Sequence, residues 1–239
     1  MRKIFDHFTD SRDHLALDEA LLLSADQGEG GESLRFWEMP SHVVVAGRST
    51  RVGEEIDMDY CRDRGIEILR RCSGGASVVG GPGCLMYSLV LKVEGRGDLR
   101  KIDLAHQYVM ERVLDALRMQ LDDAQFQGTC DLTWRNRKCS GNSLRVARRH
   151  LLYHGTLLYD FDLSLIARCL KVAPRQPEYR QGREHHQFVT NVPIDTSQFT
   201  EDLCKRFNVR CHEDATSLRS RVSELRRQRY DDQRWHHRH

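Results

Sequence analysis

The 239-residue sequence has no excess of either charge: 37 Lys and Arg stand against 35 Asp and Glu, a net charge of +2. That balance gives no electrostatic reason to expect a nucleic-acid or membrane partner. No apolar run approaches the roughly 20 residues of a spanning helix. The first residues, Met1-Arg2-Lys3-Ile4-Phe5-Asp6, lack the apolar core of a signal peptide. The eight cysteines lie far apart and include no Cys-x-x-Cys pair. Reduced thiols in a cytoplasmic protein are therefore expected, rather than a disulfide framework. Neither His185-His186 nor the final His236-His237-Arg238-His239 stands at ligand spacing with cysteine or carboxylate partners. No metal-ligating residue is assigned, and the last histidines read as a flexible tail. Internal repeats and low-complexity segments are absent.

What is present reads as a mixture of helices and strands. Leu15 to Leu23, with Asp18-Glu19, predict an amphipathic helix over 13–25. Strands are expected at 33–38 and 42–46, on either side of Met39-Pro40-Ser41. A short helix at 57–64 ends at Gly65, and a strand follows at 67–69. The apolar segment 85–93 predicts a buried strand. A long helix follows at 104–121, then strands at 131–134, 138–146 and 151–159 with a turn at Asn136. A helix at 163–170 leads to the Pro-, Gln-, Arg- and His-rich segment 174–187, read as a long loop. Helices near 199–207 and 215–229 finish the chain. Strict βαβ alternation is missing, so the class is α+β.

Three segments carry chemistry. The first is Arg70-Arg71-Cys72-Ser73-Gly74-Gly75-Ala76-Ser77-Val78-Val79-Gly80-Gly81-Pro82-Gly83. Glycine turns beside arginine suit an anion, because exposed N–H groups and a fixed positive charge converge there. It is not a P-loop, since Gly83 is followed by Cys84-Leu85-Met86 and not by Lys-Ser/Thr opening a helix. Nor does it open a helix as a dinucleotide fingerprint does. Tight turns between strands are the bland alternative. The second segment, Lys138-Cys139-Ser140-Gly141, places a lysine before a small-residue bend. Its ammonium suits a phosphate or carboxylate, although an edge-strand lysine at the surface has the same signature. In the third, Tyr153-His154-Gly155-Thr156-Leu157-Leu158, a histidine lies in an apolar strand. It reads either as a core histidine or as a site residue beside a close backbone approach.

Taken in order, Arg-Arg-x-Ser-Gly-Gly, Lys-x-Ser-Gly and His-Gly-Thr-Leu-Leu closely resemble the lipoate-protein ligase family, whose relatives are the biotin ligases and octanoyl transferases. The likeness extends to Leu15-Ala16-Leu17-Asp18-Glu19-Ala20 and Val45-Ala46-Gly47-Arg48. It implies a mixed central sheet, a second small sheet and flanking helices. It also implies activation of lipoate or octanoate by ATP and Mg²⁺, then transfer to a lysine of a lipoyl carrier domain. The carrier would belong to a 2-oxoacid dehydrogenase or a glycine-cleavage-type protein. By the same resemblance Lys138 is the catalytic lysine. Arg71, Ser73, Gly74, Gly75, Ala76, Ser77, Val78, Val79 and Asp131 join it around the adenylate. Gly74, Gly75, Lys138, Ser140, Gly141, His154 and Gly155 face the acyl group.

The sequence departs from the family in two places. Gly80-Gly81 replaces a histidine-containing pair, and Ala76 replaces a glycine. The expected organisation is one catalytic domain over 1–239, with 193–239 a short helical extension and no large accessory domain. A separate accessory protein is one consequence. A cysteine-dependent octanoyl or lipoyl transferase and an inactive binding homologue are the alternatives.

Overall fold

A computed structural model describes residues 1–171 and 176–239. Positions 174 and 175 of the expected long loop lie outside the described residues; its remainder contains a turn at Glu178–Arg180 and the start of a short helix, His185–Phe188.

Eleven strands form two sheets among the described residues. They are β1 (Arg2–Phe5), β2 (Ser33–Trp37), β3 (Val43–Ala46), β4 (Glu67–Arg70), β5 (Val78–Gly80), β6 (Cys84–Lys92), β7 (Ala124–Gln127), β8 (Asp131–Trp134), β9 (Arg137–Val146), β10 (His150–Leu158) and β11 (Cys211–Asp214). The large sheet runs β11-β1-β2-β6-β10-β9-β8-β7 and the small one β4-β3-β5. Strand β1 pairs in parallel with β2 and β11, whereas β6, β10, β9 and β8 pair antiparallel. This is an α+β fold with a mixed sheet.

Strand β6 is apolar throughout because both its faces are covered. Leu85, Tyr87, Leu89 and Leu91 enter one core, beneath the helix Ile102–Leu117. Cys84, Met86 and Val90 alternate into the other, beneath helix α1 (Ser11–Gln27) and the small sheet. Helix α1 starts where Asp10 accepts from the Arg12 N–H and stops at Gly28, φ 88°. Its acidic pair does not form the expected polar face, since Asp18 and Glu19 are both buried. The fold matches each with cations. Arg35 meets Asp18, while Arg145, Arg229 and the Tyr230 hydroxyl meet Glu19.

The C-terminal segment differs from its sequence reading in two ways. It is not wholly helical, because β11 joins the edge of the large sheet beside β1. Its histidines are not all in a flexible tail either. His236 is fully buried, its Nδ1 accepts from the Arg70 N–H at 3.0 Å, and its Nε2 bonds the Tyr230 carbonyl at 2.8 Å. The Arg70 guanidinium, also fully buried, donates to the carbonyls of Trp235, His236 and Arg238 and to those of Gly47 and Thr50. With no acidic partner among the described residues, this side chain ties residues 235–238 to the 47–50 loop.

Buried histidines set an acid limit. Burial first, and the Arg35 charge second, hold the His14 pKa down from 6.5 to about 4, against the pull of Asp6, Asp18 and Asp10. A depressed histidine stabilises the fold fully above its unfolded pKa and loses that contribution as pH falls through the window from 6.5 to about 4. Stability is expected to drop there by up to about 1.4 kcal/mol per pH unit for each such histidine. Urea unfolding of the His14→Gln variant should show a shallower acid limb between neutral pH and about pH 5. An unchanged slope would exclude His14 as its source.

Candidate active site

A cavity of about 760 Å³ opens between the two sheets. Leu15, Trp37, Val45 and Met86 supply apolar wall, and Asp131, Lys138 and Asn142 supply polar wall. A second cavity, about 160 Å³, shares Glu55, Ala76, Ser77, Val78, Lys138, Gly141 and Thr156 with the first. Its remaining wall is largely apolar, including Val79, Leu158, Ile166, Leu170 and Phe188. Lys138 therefore stands where the two cavities adjoin.

A bulge places that lysine. Along β8 and β9, Asp131 pairs with Gly141 and Leu132 with Ser140, but Thr133 pairs with Lys138. Cys139 is the extra residue. Cross-strand partners share a sheet face, so the bulge brings Lys138 onto the face that holds Asp131 and Thr133. Without it, strict alternation would turn Lys138 away. The ammonium lies 2.7 Å from Asp131 Oδ1, and Tyr179 donates its hydroxyl to Asp131 Oδ2 at 2.7 Å.

The glycine loop is held from below by Arg71. This buried side chain donates from Nε to Ser73 Oγ at 3.0 Å, from Nη1 to the Val45 carbonyl at 3.1 Å and from Nη2 to those of Gly74 and Ala76. Burial, the leading cause, lowers its pKa to about 10, so it remains a cation at neutral pH. Arg71 thus shapes the loop as well as lining the cavity. At Gly75 the backbone has φ 85°, and its carbonyl lies 1.9 Å from where a Cβ on Gly47 would stand. Both positions demand glycine.

His154 faces the main cavity. Its Nε2 lies 2.5 Å from Ser73 Oγ and its Nδ1 lies 3.1 Å from Asp18 Oδ2. Beside it, a Cβ on Gly155 would fall 1.9 Å from Asn142 Oδ1.

The sequence-nominated residues are thus gathered, with distinctions. Arg71, Gly75, Ala76, Ser77, Val78, Asp131, Lys138, Gly141, His154 and Gly155 line the main cavity. Val79 and Ser140 line the second cavity only. Ser73 and Gly74 line neither, and the Ser73 hydroxyl is taken up by Arg71 and His154. Among the contributors that escaped the sequence reading are Trp37 and Glu55, which line the main cavity, and Asp18, which bonds His154; Glu55 Oε2 accepts the Ser77 N–H at 2.8 Å. An acidic residue inside an apolar helix was the available signal for Asp18. Arg180, from the Arg- and His-rich segment, lines the second cavity. Among the described residues, its Nη2 and Ser77 Oγ are buried and have no hydrogen-bond partner.

Of the cysteines, Cys130 lines the main cavity and Cys139 the second. Burial, first, raises the Cys130 pKa, and it pushes Cys139 up to about 12. Both are poor thiolates. Among the described residues no three His, Cys, Asp or Glu side chains converge on a metal position, and no helix is long and apolar enough to cross a membrane.

Residues 10–208 match the family described as the lipoyl protein ligase A/B catalytic domain. A probable lipoate-protein ligase A from Mycoplasma genitalium is 29% identical over 81% of the chain, which spans only 58% of that relative. An octanoyltransferase LipM from Carboxydothermus hydrogenoformans is 24% identical over 98% of the chain and 97% of its own length. Among solved structures, the bi-partite lipoate protein ligase of an archaeal lipoylation system from Thermoplasma acidophilum superposes with TM-score 0.84 at 24% identity, covering 99% of this chain and 95% of that one. A lipoate-protein ligase A bound with ATP gives TM-score 0.82 at 23% identity, covering 99% and 98%. At these identities the superpositions show the fold.

Proposed function

Because the chain belongs to the lipoyl protein ligase A/B catalytic-domain family, we propose that it activates lipoate or octanoate with ATP and passes the acyl group to a lysine of a lipoyl carrier domain. The observation that carries this reading is Lys138 Nζ standing where two cavities adjoin. The larger one has apolar wall from Leu15, Trp37 and Met86 for an acyl chain. Arg71, Gly75 and Asp131 line the same cavity for the nucleotide, and the smaller cavity continues it past Ser77 and Val78.

In the first step a carboxylate oxygen bonds to the α-phosphorus and pyrophosphate leaves. Two anions must meet, and the Lys138 ammonium offsets their repulsion and the charge that develops between them. Asp131 holds that ammonium at 2.7 Å. In the second step a carrier amine attacks the acyl carbonyl and AMP leaves. Holding the mixed anhydride in place supplies most of what that step needs.

Magnesium binds such sites through substrate phosphates and one or two carboxylates. Glu54, Glu55 and Asp131 are the cavity carboxylates able to contribute. When bound, it neutralises phosphate charge. A separate accessory protein is part of the proposal, supported by the bi-partite ligase that the chain covers almost end to end.

One observation favours a transferase instead: an octanoyltransferase matches nearly the whole chain. That reading needs a reactive thiolate, and the raised pKa of Cys130 opposes it. The test is pyrophosphate release and acyl-AMP formation from lipoate, ATP and Mg²⁺. The Cys130→Ser variant is expected to keep activity within about threefold, since no covalent thioester is involved. Acyl transfer from an acyl carrier protein without ATP, abolished by Cys130→Ser, would establish the transferase and reject the ligase.

A further inference from the structure

Ser73, His154 and Asp18 come from three distant segments and form one chain of hydrogen bonds, buried at Ser73 and Asp18 and open to the main cavity at His154. Ser73 Oγ accepts from Arg71 Nε at 3.0 Å. Among the described residues its own hydrogen has one acceptor, His154 Nε2 at 2.5 Å. A buried hydroxyl hydrogen is seldom left unpaired, so Nε2 is the accepting nitrogen and the proton sits on Nδ1. That Nδ1–H points at Asp18 Oδ2, 3.1 Å away. Asp18 is fixed in turn: Oδ2 also accepts from Ser88 Oγ at 2.7 Å, and Oδ1 accepts from Arg35 Nη1 at 2.9 Å.

We propose that Asp18 is a positioning residue that sets the His154 tautomer, and through it the direction of the Ser73 hydroxyl and the seating of the glycine loop. With Nε2 unprotonated, Ser73 gives its hydrogen to His154 and keeps a lone pair for Arg71. With Nε2 protonated, two donors converge on Ser73 Oγ and its hydrogen has no acceptor among the described residues. Arg71 also holds the Gly74 and Ala76 carbonyls, so a disturbance at Ser73 reaches the loop that borders both cavities. The arrangement has the connectivity of a Ser-His-Asp triad. Yet Ser73 is only 1% exposed and borders neither cavity, which assigns it to loop seating rather than to attack on a substrate. Burial would by itself raise the Asp18 pKa, but the bonds from His154, Arg35 and Ser88 together hold it below the usual value, so it is a carboxylate at neutral pH.

The proposal rests on the ligase reading only for what the loop binds; the tautomer is measurable without it. In ¹⁵N-edited NMR of histidine-labelled full-length protein, wild-type His154 is expected as the Nδ1–H form at neutral pH. In Asp18→Asn the amide oxygen is claimed by Arg35 and its NH₂ faces His154, so the Nε2–H form is expected. Lipoate titrated alone should bind about tenfold more weakly to Asp18→Asn and to Ser73→Ala, about the loss of one hydrogen bond's worth of positioning. Wild-type His154 in the Nε2–H or doubly protonated form would overturn the proposal, even if Asp18→Asn failed to fold. So would unchanged lipoate affinity in Ser73→Ala, or an acyl adduct on Ser73 in the intact mass, which would make it a nucleophile. If lipoate does not bind the wild type but the tautomer switches as stated, the ligase reading fails and the relay stands.

Discussion

Lys138→Ala is expected to slow acyl-adenylate formation by about two to three orders of magnitude, the usual cost of deleting one preorganised charge at a reacting centre. The loss has two parts. The carboxylate and α-phosphate lose the cation that lets them approach. Asp131, 2.7 Å from the ammonium in the intact site, then faces the same cavity with no countercharge and repels both substrates. Asp131→Asn keeps the ammonium but loses the carboxylate that holds it at 2.7 Å, and should cost less, about tenfold. The variant should fold, because the Lys138 side chain is 30% exposed and belongs to neither core. Pyrophosphate release with saturating lipoate and ATP is the measurement. Retention of activity within about tenfold would remove Lys138 from the chemistry.

The second large effect concerns the foundation of the site. Arg35→Met should destabilise the fold by about 3–5 kcal/mol, the range for breaking a buried ion pair from one side. Arg35 is fully buried and bonds Asp6 at 2.9 Å, Asp18 at 2.9 Å and the His14 ring at 2.5 Å. Its guanidinium also lies 4.7 Å from the Trp37 ring centroid. Removing it takes the arginine from two carboxylates whose side chains are 6% and 2% exposed. Urea unfolding tests this directly. The Arg35→Met, Asp18→Asn double variant should lose less than the sum of the singles, because the second change relieves the charge the first one strands. A loss under about 1 kcal/mol for Arg35→Met would mean that water reaches the cluster.

Much of the site was legible along the chain because its backbone demands are local. Gly74-Gly75 had to be a bend, and Gly155 had to mark a close approach, although what approaches is the side chains of Asn142 and Tyr87 and not another backbone. Strand β6 was legible because burial on both faces leaves a continuous apolar run. Where the reading failed, partners distant in sequence were responsible. Asp18-Glu19 looked like solvent-facing acids until Arg35, Arg145 and Arg229 arrived from elsewhere. The final histidines looked like a tail because nothing near them announces that Arg70, 166 residues earlier, bonds His236.

The sequence by itself determined the α+β class, the order of the three motifs and the candidacy of Lys138, since periodicity, turn chemistry and residue type are properties of short segments. Only the tertiary structure decided which of those residues meet. It set the Ser73 hydroxyl between Arg71 and His154, joined His154 to Asp18, and made Arg71 a support for the glycine loop. It also used one extra residue, Cys139, to turn Lys138 toward Asp131. A bulge changes the parity of a strand, and parity is set by pairing with another strand, which no single segment contains.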